Sequence, residues 1–379
     1  MNALKKLLIL LVVAVVVGSA GFFVAAQKFL DEPASSIHEE VIFEVAPGES
    51  FRTISHRLET RGLIKNGTML RLYARVTGRG SKMRVGEYLM NKDITPRLVM
   101  DVITSGKSLE HEVTVAEGLN IFEIADIFAE EKLCTKEQAL QIFRDKSLIH
   151  ELLGEDHESL EGYLFPETYR VTKYTGARGL TKIMVERFKE VYAKLATLPD
   201  WNKLKLSRNE LVTLASIIEK ETGAPEERPV ISSVFHNRLR IHMRLQTDPT
   251  VIYGIWEREG HWDGKIGRAN LDVPTRYNTY AIDGLPFGPI TNPGLMAIKA
   301  AGTPATSEYL FFVSHLDGTH VFSKSYAQHQ GAVSQFLVDR KKSGARSWRD
   351  LKDRKDSPAQ VREATGSNKI KTSPPPSAR

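Results

Sequence analysis

An uncharged apolar stretch near the N-terminus constrains this chain more than any other feature. Residues 7–26 form a run of 20 residues without a charge, and Lys5 and Lys6 precede it. At a rise of about 1.5 Å per residue, such a helix spans the roughly 30 Å hydrocarbon core of a bilayer. We therefore predict a transmembrane anchor at residues 7–27. The two lysines favour a cytoplasmic segment 1–6 and a body on the opposite side of the membrane.

A cleaved signal peptide is the competing interpretation of this stretch. Val24, Ala25 and Ala26 are the small residues that a cleavage site requires. The apolar run is longer than the usual core of a signal peptide, which favours an uncleaved anchor. Both interpretations predict that the rest of the chain is exported.

The positive charge of the chain is concentrated in its C-terminal tail. Residues 340–379 contain 12 lysines and arginines against four acidic residues, so the preceding residues carry −2 of the total charge of +6. A nucleic-acid-binding body would carry the positive excess itself, so we expect no nucleic-acid partner. The tail is rich in charged residues, serine and proline, and we predict a disordered basic tail at residues 342–379.

Two segments of the chain resemble each other at a spacing of 70 residues. Segments 44–58 and 114–128 each have a short apolar stretch, a glycine (Gly48 or Gly118) and then apolar residues three or four apart. This pattern predicts a strand, a turn and an amphipathic helix. Ordinary strand–turn–helix units without a ligand have the same pattern, and no residue in it requires a sugar.

The remaining patterns predict a larger mixed domain. The apolar spacing and the turn residues indicate helices at 176–195 and 207–222, strands at 308–314 and 319–323 joined by an Asp317-Gly318 turn, and a final helix at 325–341.

The helix at 207–222 carries two acidic residues beside a wide apolar face. Ser207 and Glu210 form the pattern of a capping box at its start. At about 100° per residue, Glu219 and Glu221 lie on opposite flanks of the apolar face. Burial raises the pKa of a carboxyl, and a general acid needs such a raised pKa near neutral pH.

Spacing alone does not choose between catalysis and ion pairing for these two carboxyls, nor between one carboxyl and the other. Four arginines follow closely in the sequence and are candidate partners: Arg228, Arg238, Arg240 and Arg244.

Several ordered blocks of the sequence resemble the YceG-like family of endolytic murein transglycosylases. They are EGYLFPETY at 161–169, ASIIEKET at 215–222, VFHNRL at 234–239, MRLQTDPTVIYG at 243–254, YNTY at 277–280, GLP at 284–286, PI at 289–290 and NPG at 292–294. The resemblance implies an α+β chain with an N-terminal anchor, a LysM-like βααβ domain at 41–110 and a catalytic domain at 111–341. It also implies that Glu219, the first glutamate of the EKE block, is the catalytic residue. Phe287 departs from the family pattern, in which a second proline is common.

The resemblance also implies a chemistry that needs only one carboxyl group. A glutamic acid protonates the glycosidic oxygen, and its carboxylate then takes the proton of the sugar's own 6-hydroxyl. This closes a 1,6-anhydro ring on N-acetylmuramic acid, so that the nucleophile comes from the substrate. The implied partners are peptidoglycan glycan strands, the membrane and peptidoglycan synthases. The implied role is to help terminate strand elongation.

Polar and aromatic residues near these blocks are candidates for the substrate cleft, because amides and hydroxyls pair with sugar groups and aromatic faces cover sugar rings. They are Gln246, Thr247, Asp248, Tyr253, Asn278 and Tyr280. Two neighbouring pairs have simple structural interpretations: Asp248-Pro249 as a turn, and Asn292-Pro293 as a helix cap. The sequence contains no metal-binding cluster and no phosphate-binding loop, and it implies no cofactor.

Two other functions remain open at this stage. One is a non-catalytic scaffold that binds peptidoglycan. The other is a glycan hydrolase with two carboxylates, in which Asp248 or Glu221 is the second acid. Our preferred interpretation gives Glu221 a structural role with an arginine partner.

Overall fold

The computed structural model describes residues 3–34, 40–91, 93–222, 224–314, 319–343 and 362–363. Helices predominate in these ranges, and short strands form three small sheets. The predicted combination of helices and strands is therefore confirmed. The chain divides into two compact units: unit 1 contains residues 1–113 and 170–176, and unit 2 contains 114–169 and 177–379. The predicted disordered tail, 342–379, lies almost entirely outside the described residues.

A long apolar helix, α1 (Ala3–Asp31), begins the described chain. Its segment Leu8–Asp31 has a mean hydropathy of 2.8 and is long and apolar enough to cross a membrane. The apolar side chains along most of this segment are exposed, as expected for a surface that lipid covers. The last turn differs, because Leu30 is buried and Phe29 packs against the core of unit 1.

Unit 1 alternates short strands with capped helices. Its elements are β1 (Val41–Val45), α2 (Phe51–Thr60), α3 (Gly67–Val76), β2 (Gly86–Met90) and α4 (Pro96–Ser105). Side chains at the N-caps of the three helices accept backbone N–H bonds and fix where each helix begins: Ser50, Asn66 and Thr95. The order β1–α2–α3–β2 is βααβ, and the likeness to a LysM domain stays a prediction.

The core of unit 1 lies between its small sheet and its helices. Strands β1 and β2 are antiparallel, with Val41 opposite Met90 and Val45 opposite Gly86. Phe43 and Tyr88 are opposite each other in this ladder and are fully buried. The helices cover them with buried aliphatic side chains: Ile54, Leu58, Leu70, Val99, Met100 and Ile103.

A second two-stranded sheet pairs β3 (His111–Thr114) with β4 (Thr168–Val171). The division between the two units falls within both strands. The helices that follow are α5 (Ile121–Glu130), α6 (Lys136–Phe143), α7 (Lys146–Leu153), α8 (Gly176–Leu195), α9 (Arg208–Glu221), α10 (Arg228–Arg240), α11 (Asp248–Glu259), α12 (Arg268–Leu271), α13 (Leu295–Gly302) and α14 (Tyr326–Ser343). The helices predicted at 176–195, 207–222 and 325–341 are confirmed.

The last sheet contains β5 (Phe311–Ser314), β6 (His320–Ser323) and β7 (Arg362–Glu363). Strands β5 and β6 are antiparallel, which confirms the predicted pairing, although β5 is shorter than the predicted strand at 308–314. The predicted turn between them, Asp317-Gly318, lies outside the described residues. Strand β7 is parallel to β6.

The two similar segments have the predicted strand–turn–helix structure. The first consists of β1, a turn at Gly48 and α2, and the second of β3, a turn at Gly118 and α5. Both glycines have a positive φ, 77° and 81°, which a residue with a side chain rarely adopts. The two similar sequence segments therefore have the same local structure.

Candidate active site

Helix α9 passes through the core of unit 2 and carries both candidate carboxyls at its C-terminal end. The Ser207 side chain accepts the Glu210 N–H at 3.3 Å, and the Glu210 carboxylate accepts the Ser207 N–H at 2.7 Å, which confirms the capping box. The eight residues 211–218 are all buried. Each of the two glutamates that follow therefore needs a polar partner at the edge of this core.

Glu219 forms a buried ion pair. Its Oε1 accepts a bond from Arg228 Nη2 at 2.8 Å, and its Oε2 accepts the Gly294 N–H at 3.0 Å. The Glu219 side chain is only 5% exposed. Arg228 begins α10 and Gly294 precedes α13, so this carboxylate joins the ends of three helices. Arg228 is one of the four arginines that the sequence offers as partners.

A third charged side chain lies beside this ion pair. Glu117 Oε2 is 3.9 Å from Arg228 Nη2. Burial and the nearby charge of Glu219 raise the pKa of Glu117, and Arg228 opposes them. The cluster therefore contains two carboxyls around one guanidinium.

Glu221 is in a different environment on the opposite flank of α9. The Thr247 hydroxyl donates a hydrogen bond to Glu221 Oε1. No arginine among the described residues lies within ion-pair distance of this carboxyl, so the predicted arginine partner of Glu221 is wrong. Burial raises the pKa of Glu221, while the Thr247 hydrogen bond and the charge of Arg238, which lies beyond ion-pair distance, oppose the shift.

A pocket of about 440 Å³ opens beside Glu221. Four of the predicted cleft residues line it: Gln246, Thr247, Asp248 and Tyr280. Aromatic and cationic side chains complete the lining, among them Arg238, Phe311, Phe312 and Tyr326. Glu219 is not among the lining residues. The structure thus brings most of the predicted cleft together, around the second glutamate of the EKE block.

The polar rim of this pocket, which we define as Gln246, Thr247, Asp248 and Tyr280, is held by local hydrogen bonds. The Tyr280 hydroxyl donates to Asp248 Oδ1 at 2.7 Å, and the Thr247 N–H donates to Thr279 Oγ1 at 3.1 Å. Gln246 has a φ of 50°, in the left-handed region that a residue other than glycine adopts at a cost. Strain of this kind is concentrated at functional sites.

Asp248 and Pro249 begin a helix rather than forming an isolated turn. Thr247 is the N-cap residue of α11, and Pro249 lies in its first turn. The turn interpretation of this pair is therefore wrong. Proline fits here because its fixed φ suits a helix and its missing N–H is not needed in the first turn. The start of α11 fixes the backbone at Gln246 and Thr247, the two rim residues that precede it.

The other two predicted cleft residues lie in the interior. Tyr253 is buried and donates its hydroxyl to Glu161 Oε2 at 2.9 Å. Asn278 is buried, and its Nδ2 donates to the carbonyls of Leu271 and Val273 at 2.8 and 2.7 Å. Its Oδ1 accepts the Tyr280 N–H at 2.9 Å, so Asn278 shapes the loop that carries one rim residue. Neither side chain lines the pocket beside Glu221.

Comparisons with known proteins bear on this arrangement. The model of the YceG-like family matches residues 43–335, which include α9, the pocket beside Glu221 and all of its predicted rim residues. This chain belongs to the YceG-like family. A relative from Bacillus subtilis (strain 168), named endolytic murein transglycosylase, is 30% identical over 335 residues, which cover 84% of this chain and 90% of the relative.

Two further similar proteins fit this membership. A protein of Streptococcus pneumoniae serotype 2 (strain D39 / NCTC 7466) with the same name is 26% identical over 360 residues. That match covers 84% of this chain and 63% of the streptococcal protein. A 2.6 Å crystal structure of a YceG-like protein from Listeria monocytogenes has a TM-score of 0.52 and 29% identity, and the match covers 78% of this chain and 99% of that one.

The YceG-like chain contains a buried carboxyl whose role the sequence did not reveal. Glu161 accepts hydrogen bonds from the Ile121 N–H, the Tyr253 hydroxyl and Asn292 Nδ2, each at 2.9 Å. Burial raises the pKa of Glu161 to about 8. The only signal in the sequence was its place in the EGYLFPETY block.

Asn292 does not have the role of helix cap that the sequence predicted. The N-cap residue of α13 is Gly294, and Asn292 is fully buried before it. Its Oδ1 accepts the Leu164 N–H at 2.9 Å, and its Nδ2 donates to the Leu119 carbonyl at 3.0 Å as well as to Glu161. Its amide is therefore fully used in joining three segments of unit 2.

Metal-ligating side chains are dispersed in the part of the chain that the structure describes. It has no group of three or more His, Cys, Asp and Glu residues that could hold a metal ion. Burial raises the pKa of the Cys134 thiol, which makes it a poor ligand and nucleophile.

Proposed function

We propose that this YceG-like chain is an endolytic murein transglycosylase that cleaves the glycan strands of peptidoglycan with Glu221 as its acid and base. The family membership and the name shared by the Bacillus and Streptococcus relatives support the activity. The pocket beside Glu221 supports the assignment of the residue.

The reaction needs one carboxyl that first gives and then takes a proton. Protonated Glu221 donates its proton to the glycosidic oxygen as the bond from C1 of N-acetylmuramic acid breaks. The Glu221 carboxylate then accepts the proton of the 6-hydroxyl, whose oxygen bonds to C1 and closes the 1,6-anhydro ring. The acid is regenerated and no water is consumed. Burial raises the pKa of Glu221, which favours the protonated form that begins this cycle.

The observation that carries the assignment to Glu221 is the pocket itself. Glu221 lines the same pocket as Gln246, Thr247, Asp248 and Tyr280, whereas Glu219 does not. Both oxygens of the Glu219 carboxyl are already engaged, one by Arg228 Nη2 and the other by the Gly294 N–H. We therefore prefer Glu221 to the catalytic role of Glu219 that the family resemblance implies. The role of Glu219 stays an alternative within the same experiment.

The rim residues have distinct roles in this proposal. Thr247 orients the Glu221 carboxyl through its hydroxyl. The exposed Gln246 amide pairs with the N-acetyl or hydroxyl groups of the sugar, and Tyr280 offers an aromatic face. Asp248 accepts the Tyr280 hydroxyl and so fixes the position of that ring at the rim.

A paired substitution tests the assignment. We expect Glu221→Gln to slow the release of 1,6-anhydro ends from purified murein by at least about a hundredfold, the low end of a general acid–base contribution. Glu219→Gln removes the partner of buried Arg228 and should lower stability by about 3–5 kcal/mol while leaving turnover at low temperature within severalfold. Mass spectrometry of the ends measures the rate, and circular dichroism measures folding.

The double variant Glu219→Gln/Arg228→Gln is the matched control, because it removes both charges of the buried pair and recovers stability. Loss of turnover in this folded double variant, with activity retained in Glu221→Gln, would return the catalytic role to Glu219. If neither glutamate matters to the rate, the chain is a scaffold that binds peptidoglycan.

A hydrolase with two carboxylates is the second candidate, because Asp248 and Glu221 line one pocket. The mass of the product separates the two reactions, since hydrolysis adds one water to the new end and transglycosylation adds none. We expect the anhydro mass. A hydrated end that disappears in Asp248→Asn would establish the hydrolase instead.

The proposal also covers the organisation of the chain. We propose that residues 7–27 anchor it in the cytoplasmic membrane with 1–6 inside and the body outside. We also propose that 41–110 form a LysM-like glycan-binding domain and that 111–341 form the catalytic domain. The apolar surface of α1 supports the anchor, and the βααβ order of unit 1 supports the LysM likeness. Peptidoglycan synthases are proposed partners.

A further inference from the structure

Unit 1 contains a cationic pocket of about 590 Å³, far in the sequence from the residues of the Glu221 pocket. Three arginines line it: Arg52 on α2, and Arg71 and Arg75 on α3. The remaining lining residues carry no charge: Phe51, Ala74, Gly78, Gly80 and Ser81. The pocket therefore concentrates three guanidinium groups and includes no carboxylate.

These three arginines also lack ion-pair partners elsewhere among the described residues. Arg71 donates only to hydroxyls, Ser55 Oγ at 3.2 Å and Thr68 Oγ1 at 2.7 Å. Four other arginines of unit 1 show the contrast, because they pair with carboxylates: Arg57 with Glu49, Arg79 with Asp101, Arg97 with Asp31 and Arg170 with Glu112.

The spacing of the arginines makes an unoccupied pocket unfavourable. Arg71 and Arg75 are four residues apart on α3, so they lie on one face of the helix, and like charges at this spacing destabilise a helix. A bound anion offsets this repulsion, because it attracts both arginines. The planar guanidinium matches the oxygens of a phosphate through paired hydrogen bonds.

The position of α3 indicates where such an anion comes from. Arg97 of α4 binds Asp31 and Gln27 at the end of α1, and its guanidinium lies 6.0 Å from the Tyr73 ring on α3. Because α1 is apolar enough to cross a membrane up to Asp31, this contact holds α3 beside the point at which the chain leaves the bilayer.

The exposed face of α3 has the composition of a membrane-surface helix. Leu72 and Val76 are four residues apart on α3, adjacent to Arg71 and Arg75, and Val76 is 78% exposed. Apolar side chains beside arginines are typical of a helix that lies at the boundary between headgroups and acyl chains.

We propose that the pocket formed by Arg52, Arg71 and Arg75 binds the phosphate of an anionic lipid headgroup. Leu72 and Val76 then contact the outer part of the acyl chains. The site orients unit 1 at the membrane surface, independently of the reaction at the pocket beside Glu221. Its affinity is electrostatic and falls as salt shortens the screening length, which is about 10 Å at 0.1 M.

The test is arginine modification in the full chain reconstituted in nanodiscs. Discs of phosphatidylcholine are compared with discs in which part of the lipid is phosphatidylglycerol, and peptide mass spectrometry follows the reaction of each arginine with phenylglyoxal. We expect the anionic lipid to slow modification of Arg52, Arg71 and Arg75 at least fivefold. Arg170, an exposed arginine of unit 1, and Arg258 of unit 2 should react equally in both discs. High salt should remove the protection.

Two variants that each remove one arginine charge test whether the protection depends on the pocket. Arg75→Gln removes one lining charge and should abolish the protection of Arg52 by phosphatidylglycerol, whereas Arg170→Gln removes the same charge elsewhere and should not. Equal modification in both discs overturns the proposal, as does equal protection of all arginines. Protection by inorganic phosphate or by a soluble acidic muropeptide in neutral discs, without protection by phosphatidylglycerol, also overturns it and assigns the pocket to that anion.

Discussion

Glu161 is a buried carboxyl with three hydrogen-bond donors and no cation within ion-pair distance among the described residues. Burial raises its pKa from 4.5 to about 8. In the unfolded chain the group ionises near its ordinary pKa. Below about pH 4.5 both states are protonated and the group's contribution to stability is fully present. Between there and about pH 8 only the unfolded state ionises, so this contribution is lost as the pH rises.

We therefore predict that the melting temperature falls between pH 5 and pH 8, and that Glu161→Gln makes this dependence shallower. A shift of this size corresponds to a few kcal/mol, on the order of 1.4 for each pKa unit. Thermal unfolding by circular dichroism at each pH measures the slope. The variant also changes the bond to Asn292, so the slopes are compared and not the absolute temperatures. Glu130→Gln, on an exposed carboxyl, is the control, and an unchanged slope in Glu161→Gln would refute the prediction.

The two glutamates of the EKE block show which residue-level features a sequence can predict. The capping box at Ser207 and Glu210 is local, since both bonds join residues three apart, and it was predictable. The flanking positions of Glu219 and Glu221 were also predictable from helical geometry. Their partners were not, because Gly294 and Thr247 come from segments 75 and 26 residues away. Those distant segments decide which of the two carboxyls lines a pocket.

At the scale of elements, Gly162 is a point of close packing between α9 and the loop before α13. Its φ is +87°, and a Cβ there would lie 2.6 Å from Pro289 Cβ and 2.8 Å from Val212 Cγ1. Both a strained backbone and a steric overlap follow from adding a single methyl group. Gly162 thus lies between the 286–292 loop and α9, the helix that carries Glu219 and Glu221.

We predict that Gly162→Ala destabilises the protein by about 2–4 kcal/mol, combining the cost of overpacking with that of a left-handed residue. Gly154→Ala is the matched control, because Gly154 has a φ of +69° and open space around its Cβ position. It should cost only about 1–2 kcal/mol. Chemical denaturation of both variants measures the difference. Equal costs would mean that Pro289 and Val212 yield without penalty.

The local elements were more predictable than the contacts between them. The strand–turn–helix repeats and the helix at 207–222 depend on periodicity and on residues close in sequence, and both are confirmed. The predicted cap at Asn292 is wrong because its amide is taken by Leu164 and Glu161, which lie more than 100 residues earlier. When a side chain has several possible partners, tertiary packing decides which of them it binds, and spacing in the sequence does not reveal that packing.

At the scale of the whole molecule, unit 1 includes a segment that returns from a distant part of the chain. Residues 170–176 belong to it. The Tyr174 hydroxyl and Lys173 Nζ both bind Glu44 on β1, about 130 residues earlier. The sequence predicted a unit in this region because the strand and helix patterns there are local. It could not predict the returning segment, whose two contacts depend on the folded position of β1.

Whether α1 is cleaved or stays attached to the body affects the whole chain. The helix runs without interruption from Ala3 to Asp31, through the small residues at 24–26 that offer a cleavage site. Its last turn is part of unit 1, since Leu30 is buried and Arg97 binds Gln27 and Asp31. The apolar helix therefore continues into the core of unit 1 without an extended segment that a peptidase could bind.

We accordingly predict that the full-length chain stays with membranes after cell fractionation and resists extraction by high salt and alkali, which remove only surface-bound proteins. A variant without residues 2–26 keeps the last turn and should be soluble, with a melting temperature within a few degrees of the full chain, because the side chains of residues 8–25 are exposed. N-terminal sequencing of each fraction is the measurement. A soluble wild-type species that begins near Gln27 would establish cleavage, and an unfolded deletion variant would show that the exposed part of α1 contributes to the fold.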